Sequence, residues 1–336
     1  MRIGVIGAGS WGTALAILLG QKGLRVSLWV RRTSLLEKIA ESRINSDYLP
    51  DIFIPENIKL TNELEEAVRG KNLIVLSVPS HAMGTLVKKI KNFIGEQTII
   101  VNTAKGLAEG SLRRLSQVID AELAPCGKVA VLSGPNHAEE VSRLIPTASV
   151  VASTEQAVAE KVQDIFMTPY FRVYTNPDII GVELGGALKN VIAIGAGICD
   201  GLNYGDNTKA ALLTRGLVEI TRLGIALGAE KGTFSGLTGL GDLFVTCNSP
   251  HSRNRYLGMM LGKNHPLEEI TSTMKMVAEG IRTTRIAYQL SRNYGVEMPI
   301  TEEVHALLFS GKNPREAVKN LMQRQKTHEI EEIAFD

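Results

Sequence analysis

The chain has 336 residues, 44% of them apolar, enough for two sizeable hydrophobic cores. Thirty-seven basic against thirty-five acidic residues leave a net charge of +2 without any basic block, which argues against nucleic acid as a partner. Three widely spaced cysteines, Cys126, Cys199 and Cys247, contain no CxxC, so neither a disulfide framework nor a zinc site is expected and a reducing, cytoplasmic location fits.

Arg2 is followed by an apolar run to Leu19, but Gly4, Gly7, Gly9 and Gly12 interrupt it and no small-residue cleavage site follows. Strand, turn and helix are expected there rather than a signal peptide. Nowhere do about eighteen apolar residues run uninterrupted, so no membrane span is expected. Up to Asn176, β-branched runs alternate with amphipathic segments, as in βαβ units around a buried parallel sheet. The predicted strands are 2–6, 25–30, 72–78, 98–102, 128–133 and 147–153. Helical stretches include 11–21 and 83–93, and Ser153 with Gln156 reads as a capping box. From Pro177 the β-runs give way to long Ala, Gly, Leu and Ile patterns of helical period. The fold class is therefore α/β plus all-α, a Rossmann-like doubly wound sheet followed by a helical domain. The expected boundaries are 1–176 for the dinucleotide-binding domain, 177–328 for the helical domain and 329–336 for a solvated tail.

GAGSWG follows the first strand and opens a helix, the context that makes G-x-G-x-x-G informative. Gly7 allows the tight turn, Gly9 lets the backbone approach a pyrophosphate, and Gly12 lets helix pack on strand. The diphosphate would rest on the helix N-terminus. The second strand ends in Arg31 and Arg32, where an acid would accept hydrogen bonds from the adenine ribose. Two forked guanidinium donors suit a 2′-phosphate instead; the bland alternative is a solvated strand end. The next acid, Glu37, already lies in a helix.

Ligands of open parallel sheets bind beyond the carboxyl ends of the strands. Pro79, Ser80 and His81 end the third strand, and Lys105 lies just beyond the fourth, beside Gly106. After the fifth comes SGPNHAEE, in which Gly134 turns the chain and Pro135 suits the first position of a helix whose free N–H groups form another anion site. In the helical half, VELGGALKNVIAIGAG (182–197) places Gly185, Gly186, Lys189, Ala193 and Ala196 on one face. Burial lowers a lysine pKa and makes it a usable acid or base near neutrality; a lysine whose stem merely covers apolar surface is the alternative. Asp242, after a glycine-rich turn, is a candidate partner for Lys189. Ser252, Arg253 and Asn254, near a helix start, form a candidate phosphate site.

Taken together, GAGSWG, NTAKG, SGPNHAEE, GGALKN, GLGDL, SRNR and VAEGIRTT strongly resemble NAD(P)-dependent glycerol-3-phosphate dehydrogenases of the bacterial type, in order and spacing over residues 1 to 325. The resemblance implies reversible reduction of dihydroxyacetone phosphate to sn-glycerol 3-phosphate with NADP(H) or NAD(H), feeding phospholipid synthesis. By motif match it implies Lys189 as general acid or base, with Asn190 beside it. Lys105 would touch substrate and cofactor. Gly134, Asn136, Asp242, Ser252, Arg253 and Asn254 would surround the substrate. Ser10, Trp11, Arg31, Arg32, Ala138, Arg253, Val277 and Glu279 would complete the cofactor site around Gly7, Gly9 and Gly12.

The family pattern reads SGPS followed by an aromatic, whereas this chain has Asn136 and His137, which changes the reach of that contact. No metal is expected, because no ligand-spaced His/Asp/Glu cluster occurs. The partner is a small phosphorylated substrate, and the chain is compatible with a homodimer. A reductase of 2-keto or 3-hydroxy acids, such as a ketopantoate reductase, would share the architecture, but the SRN arginine favours a phosphate-bearing substrate. A dinucleotide-binding redox sensor would leave Lys189, Asp242 and Arg253 without a common purpose.

Overall fold

A computed structural model describes residues 1–123, 127–274, 276–326 and 328–329. Cys126 and most of the expected tail, 330–336, lie outside the described residues. The strands are β1 (Arg2–Ile6), β2 (Arg25–Trp29), β3 (Ile44–Asn45), β4 (Leu49–Phe53), β5 (Ile58–Thr61), β6 (Leu73–Leu76), β7 (Ile99–Asn102), β8 (Lys128–Ser133), β9 (Thr147–Ala152) and β10 (Phe171–Asn176). Eight of them form one sheet in the order β10-β9-β8-β7-β6-β1-β2-β5, and β3 and β4 form a separate two-stranded ribbon.

The central strands Ile3–Ile6, Leu73–Leu76 and Ile99–Asn102 are buried on both faces, as expected for strands covered by helices above and below. One core lies against the helix Ser10–Gln21 and another against the helices Met83–Ile90 and Leu115–Leu123. The sheet is parallel from β5 to β8, but β8 and β9 are antiparallel. No long crossover helix separates β8 from β9. The link holds only the one-turn helix Ala138–Val141, and the chain returns in the opposite sense.

Sequence reading also missed β3, β4, β5 and β10. β5 and β10 are the two edges of the sheet, and in β10 the exposed residues Arg172 and Tyr174 interrupt the apolar run. The expected capping box does not form. The Ser153 hydroxyl donates to the Val129 carbonyl instead, and the following helix begins at Gln156. Pro135 also stays outside a helix: the chain bends at Gly134 and Pro135, and the helix Ala138–Val141 starts only after the extended His137.

After Asn176 the described elements are helical. Asp178 caps the helix Ile179–Gly201 by accepting from the Gly181 amide at 2.8 Å. This 23-residue helix is long and apolar enough to cross a membrane, with mean hydropathy 1.5. It is instead the core of the helical half, buried from Gly181 to Cys199. The helices Asp206–Ala226, Asp242–Asn248, Arg253–Gly262 and Glu279–Tyr294 pack around it. Against Arg253–Gly262 the approach is so close that a Cβ on Gly258 would meet the Ile194 carbonyl, and one on Gly197 the Arg255 carbonyl. Its N-terminal half meets the carboxyl end of the sheet, which brings Lys189 to the sheet's mouth.

Candidate active site

A cleft of about 660 Å³ runs from the glycine turn across the strand ends to the helical half. The turn follows from its glycines. Gly7 adopts φ +114°, in the left-handed region, and a Cβ on Gly12 would strike the Gly7 carbonyl. Gly9 faces open space, so a side chain there would fill the cradle in front of the helix Ser10–Gln21. That helix has no acid in its first turn. N–H groups at a helix start, with no side chain or acid in front of them, suit a pyrophosphate, and the residues present therefore fit a dinucleotide.

Among the expected cofactor residues, Gly7, Gly9, Ser10 and Trp11 line one end of the cleft with Arg31 and Arg32. Gly12 lies behind them as a packing residue. Ala138, Arg253, Val277 and Glu279 line the cleft farther along. Glu279 has a second employment: its carboxylate accepts from the Ser80 amide at 2.9 Å and the Ser80 hydroxyl at 2.6 Å, joining the end of β6 to the start of the helix Glu279–Tyr294.

Lys189 and Asp242 are the electrostatic centre. Their side chains are 6% and 1% exposed, and the Lys189 ammonium donates to Asp242 Oδ1 and, at 2.6 Å, to Thr246 Oγ1. The second Asp242 oxygen accepts from Lys105 Nζ at 2.9 Å. One buried carboxylate thus bridges two ammonium groups. Lys105 also donates to the Gly134 carbonyl at 2.8 Å and to Asn136 Oδ1 at 2.9 Å. Asn136 in turn donates from Nδ2 to Ser149 at 2.9 Å. The residue that departs from the family pattern therefore holds Lys105, and Gly134, at φ +134°, turns its carbonyl toward the same ammonium.

Burial lowers the Lys189 pKa, and the Lys105 charge lowers it further; Asp242 opposes both, and the balance lies at about 7. His137 lies in the same cleft with its ring centroid 6.0 Å from that of His251. Burial and the two lysines push its pKa down to about 3, so it is neutral near pH 7.

The glycines beside Lys189 have a local cause. A Cβ on Gly185 would lie 2.6 Å from the Thr238 carbonyl, and one on Gly186 2.6 Å from Ser133 Oγ. The close approach that such small residues imply is made by the chain's own turn at 237–241 and by the end of β8. Asn190 accepts at Oδ1 from Asn254 at 2.9 Å, and Asn254 Oδ1 accepts from the Gly280 amide at 2.9 Å. The Ser252 hydroxyl caps the helix Arg253–Gly262, accepting from the Arg255 amide. Arg253 is exposed on the cleft wall and donates to the Val277 carbonyl at 3.1 Å; a guanidinium has further N–H donors to offer.

All the expected site residues except Gly12 and Gly134 line this one cleft, and so do Pro79 and His81. Thr246 was missed, although its spacing of four from Asp242 puts both on one helix face. Ser149, from β9, gave no signal in the sequence. No group of three metal-ligating side chains occurs among the described residues.

Comparison with known proteins converges on one family. Residues 2–159 match the family described as NAD-dependent glycerol-3-phosphate dehydrogenase N-terminus, and residues 178–319 match its C-terminus. A glycerol-3-phosphate dehydrogenase [NAD(P)+] of Pelotomaculum thermopropionicum is 53% identical over 99% of this chain and 96% of its own. One of Bacillus subtilis is 50% identical over 99% and 97%. The crystal structure of glycerol-3-phosphate dehydrogenase from Coxiella burnetii superposes with a TM-score of 0.93 at 39% identity, covering 96% of this chain and 99% of that one. A ketopantoate reductase from Ralstonia eutropha, at 14% identity and TM-score 0.63, shares the fold alone.

Proposed function

The chain belongs to the NAD-dependent glycerol-3-phosphate dehydrogenase family, and from that premise we propose how its own residues perform the reaction. The protein is an NAD(P)-dependent oxidoreductase that interconverts dihydroxyacetone phosphate and sn-glycerol 3-phosphate. When bound, the nicotinamide supplies or takes the hydride at substrate C2. The remaining work falls to the chain.

Lys189 is the acid and base. In reduction its ammonium gives a proton to the C2 oxygen, and in oxidation its amine takes that proton back. The carrying observation is the buried Lys189–Asp242–Lys105 bridge. Asp242 orients both side chains, and Lys105 adds a positive charge beside the C2 oxygen. Thr246 fixes the Lys189 ammonium from its other side. Asn136 and the Gly134 carbonyl hold Lys105, and Asn254 holds Asn190 against the cleft.

Arg253, with the Ser252 hydroxyl, takes the substrate phosphate by charge-assisted hydrogen bonds. Ser10, Trp11 and the glycine turn take the pyrophosphate, while Arg31 and Arg32 face the adenosine ribose. Ala138, Val277 and Glu279 close the nicotinamide end. The division of labour follows a boundary at 176/177, with the dinucleotide on 1–176 and the catalytic lysine on 177–328. We also infer that the protein works in the cytoplasm as a homodimer, without nucleic acid, and supplies glycerophospholipid synthesis. Its near-neutral charge and its buried free thiols, Cys199 and Cys247, support that setting.

Coenzyme oxidation followed at 340 nm tests the reading. Dihydroxyacetone phosphate is expected to support turnover with both NADPH and NADH, and ketopantoate to give none. Turnover on ketopantoate with none on dihydroxyacetone phosphate would overturn it.

A further inference from the structure

The end of β2 carries no acid, yet the fold brings one there. Asp47 sits in the turn between β3 and β4, and its Oδ2 lies 3.0 Å from Arg32 Nη2. Lys38 lies 3.7 Å from its other oxygen. Arg32 also donates to the Tyr48 hydroxyl at 3.3 Å, with its guanidinium carbon 5.7 Å from that ring's centroid. The ribbon that carries Asp47 is anchored to the coenzyme end of the cleft. Asn45, fully buried, donates to the Ala8 carbonyl at 3.0 Å and to Thr13 at 2.9 Å, which ties the ribbon to the glycine loop and the helix after it. Arg31, beside Arg32 on the cleft wall, makes no ion pair among the described residues.

We propose that Asp47 is a specificity-determining residue: by holding Arg32 it divides the arginine pair and keeps the coenzyme site open to NAD(H) alongside NADP(H). The inference rests on reading the cleft as a coenzyme site and adds what sets its selectivity. A ribose with a free 2′-hydroxyl leaves the Arg32–Asp47 pair intact. A 2′-phosphate meets Arg31 directly, but it must compete with the Asp47 carboxylate for Arg32 and is repelled by that carboxylate. Both partners are partly exposed, Arg32 by 48% and Asp47 by 33%, so the competition is moderate and biases the choice without excluding either coenzyme.

The experiment compares kcat/KM for NADPH and NADH, with dihydroxyacetone phosphate saturating, in the unsubstituted protein, Asp47→Asn, Arg31→Gln and Arg32→Gln. Asp47→Asn keeps the shape of the side chain and removes its charge, and is expected to raise the NADPH to NADH ratio roughly two- to fivefold, the scale of a partly exposed ion pair. Arg31→Gln is expected to lower the ratio more than Arg32→Gln does. A ratio that is unmoved or falls in Asp47→Asn overturns the proposal, and so does a larger loss in Arg32→Gln than in Arg31→Gln. Absence of turnover with either coenzyme in the unsubstituted protein would count against the coenzyme reading itself. Turnover with a ratio indifferent to Asp47 counts only against this inference.

Discussion

Lys189 owes its chemistry to two opposed influences. Burial and the Lys105 charge favour the neutral amine, and Asp242 favours the ammonium, leaving a pKa of about 7. The sign of the pH dependence differs with the direction of reaction. With Lys189 as the proposed acid, reduction needs the ammonium, so its kcat/KM is expected to hold below pH 7 and fall as pH rises through it. Oxidation needs the amine and is expected to rise through the same pH and level off above. His137, pushed to about 3, does not titrate in this window. Initial rates in both directions between pH 5.5 and 9 check this, and profiles that are flat, or that bend the same way, would contradict it. Much of this centre was legible in the sequence. A lysine among glycines on a predicted helix, an acid after a glycine turn and an arginine at a helix start are each visible in the sequence alone. The bridging of two lysines by one carboxylate was not, because residues 105, 189 and 242 meet only through tertiary folding.

The central helix Ile179–Gly201 shows how an element serves a site. Its small residues admit neighbouring backbone on several sides, and the tightest approach is to the helix Arg253–Gly262 through Gly258 and Gly197. Gly258→Ala gains roughly 1 kcal/mol in helix propensity. It also drives a methyl group into the Ile194 carbonyl, and since backbone cannot rotate aside, the helices must part at a cost of about 3 kcal/mol or more. The expected result is a fall of several degrees in Tm by calorimetry, and an unchanged or higher Tm would show that the two helices are less tightly seated. Periodicity gave this helix and the interior strands because each is a continuous apolar run. It failed for β5 and β10, whose exposed sides dilute the pattern, for β4, which is mostly exposed, and for β3, which has two residues and is held by the buried Asn45. Asp47 was hidden for the same reason: fifteen residues separate it from Arg32, and only that ribbon brings it back.

At the scale of the whole molecule, one cleft joins a strand-end coenzyme cradle to a helix-borne lysine, and side chains from both halves tie the two together. Lys105 reaches from beyond β7 to Asp242 on a helix, and Ser80 at the end of β6 is held by Glu279. The central claim is that Lys189 moves the proton, and Lys189→Ala tests it most directly, with turnover on dihydroxyacetone phosphate and coenzyme affinity measured on the same preparation. The expected result is a loss of about 10²- to 10⁴-fold in kcat, the usual contribution of a positioned general acid, with NADPH affinity nearly unchanged by fluorescence titration. Turnover within a few-fold of the unsubstituted protein would contradict the account.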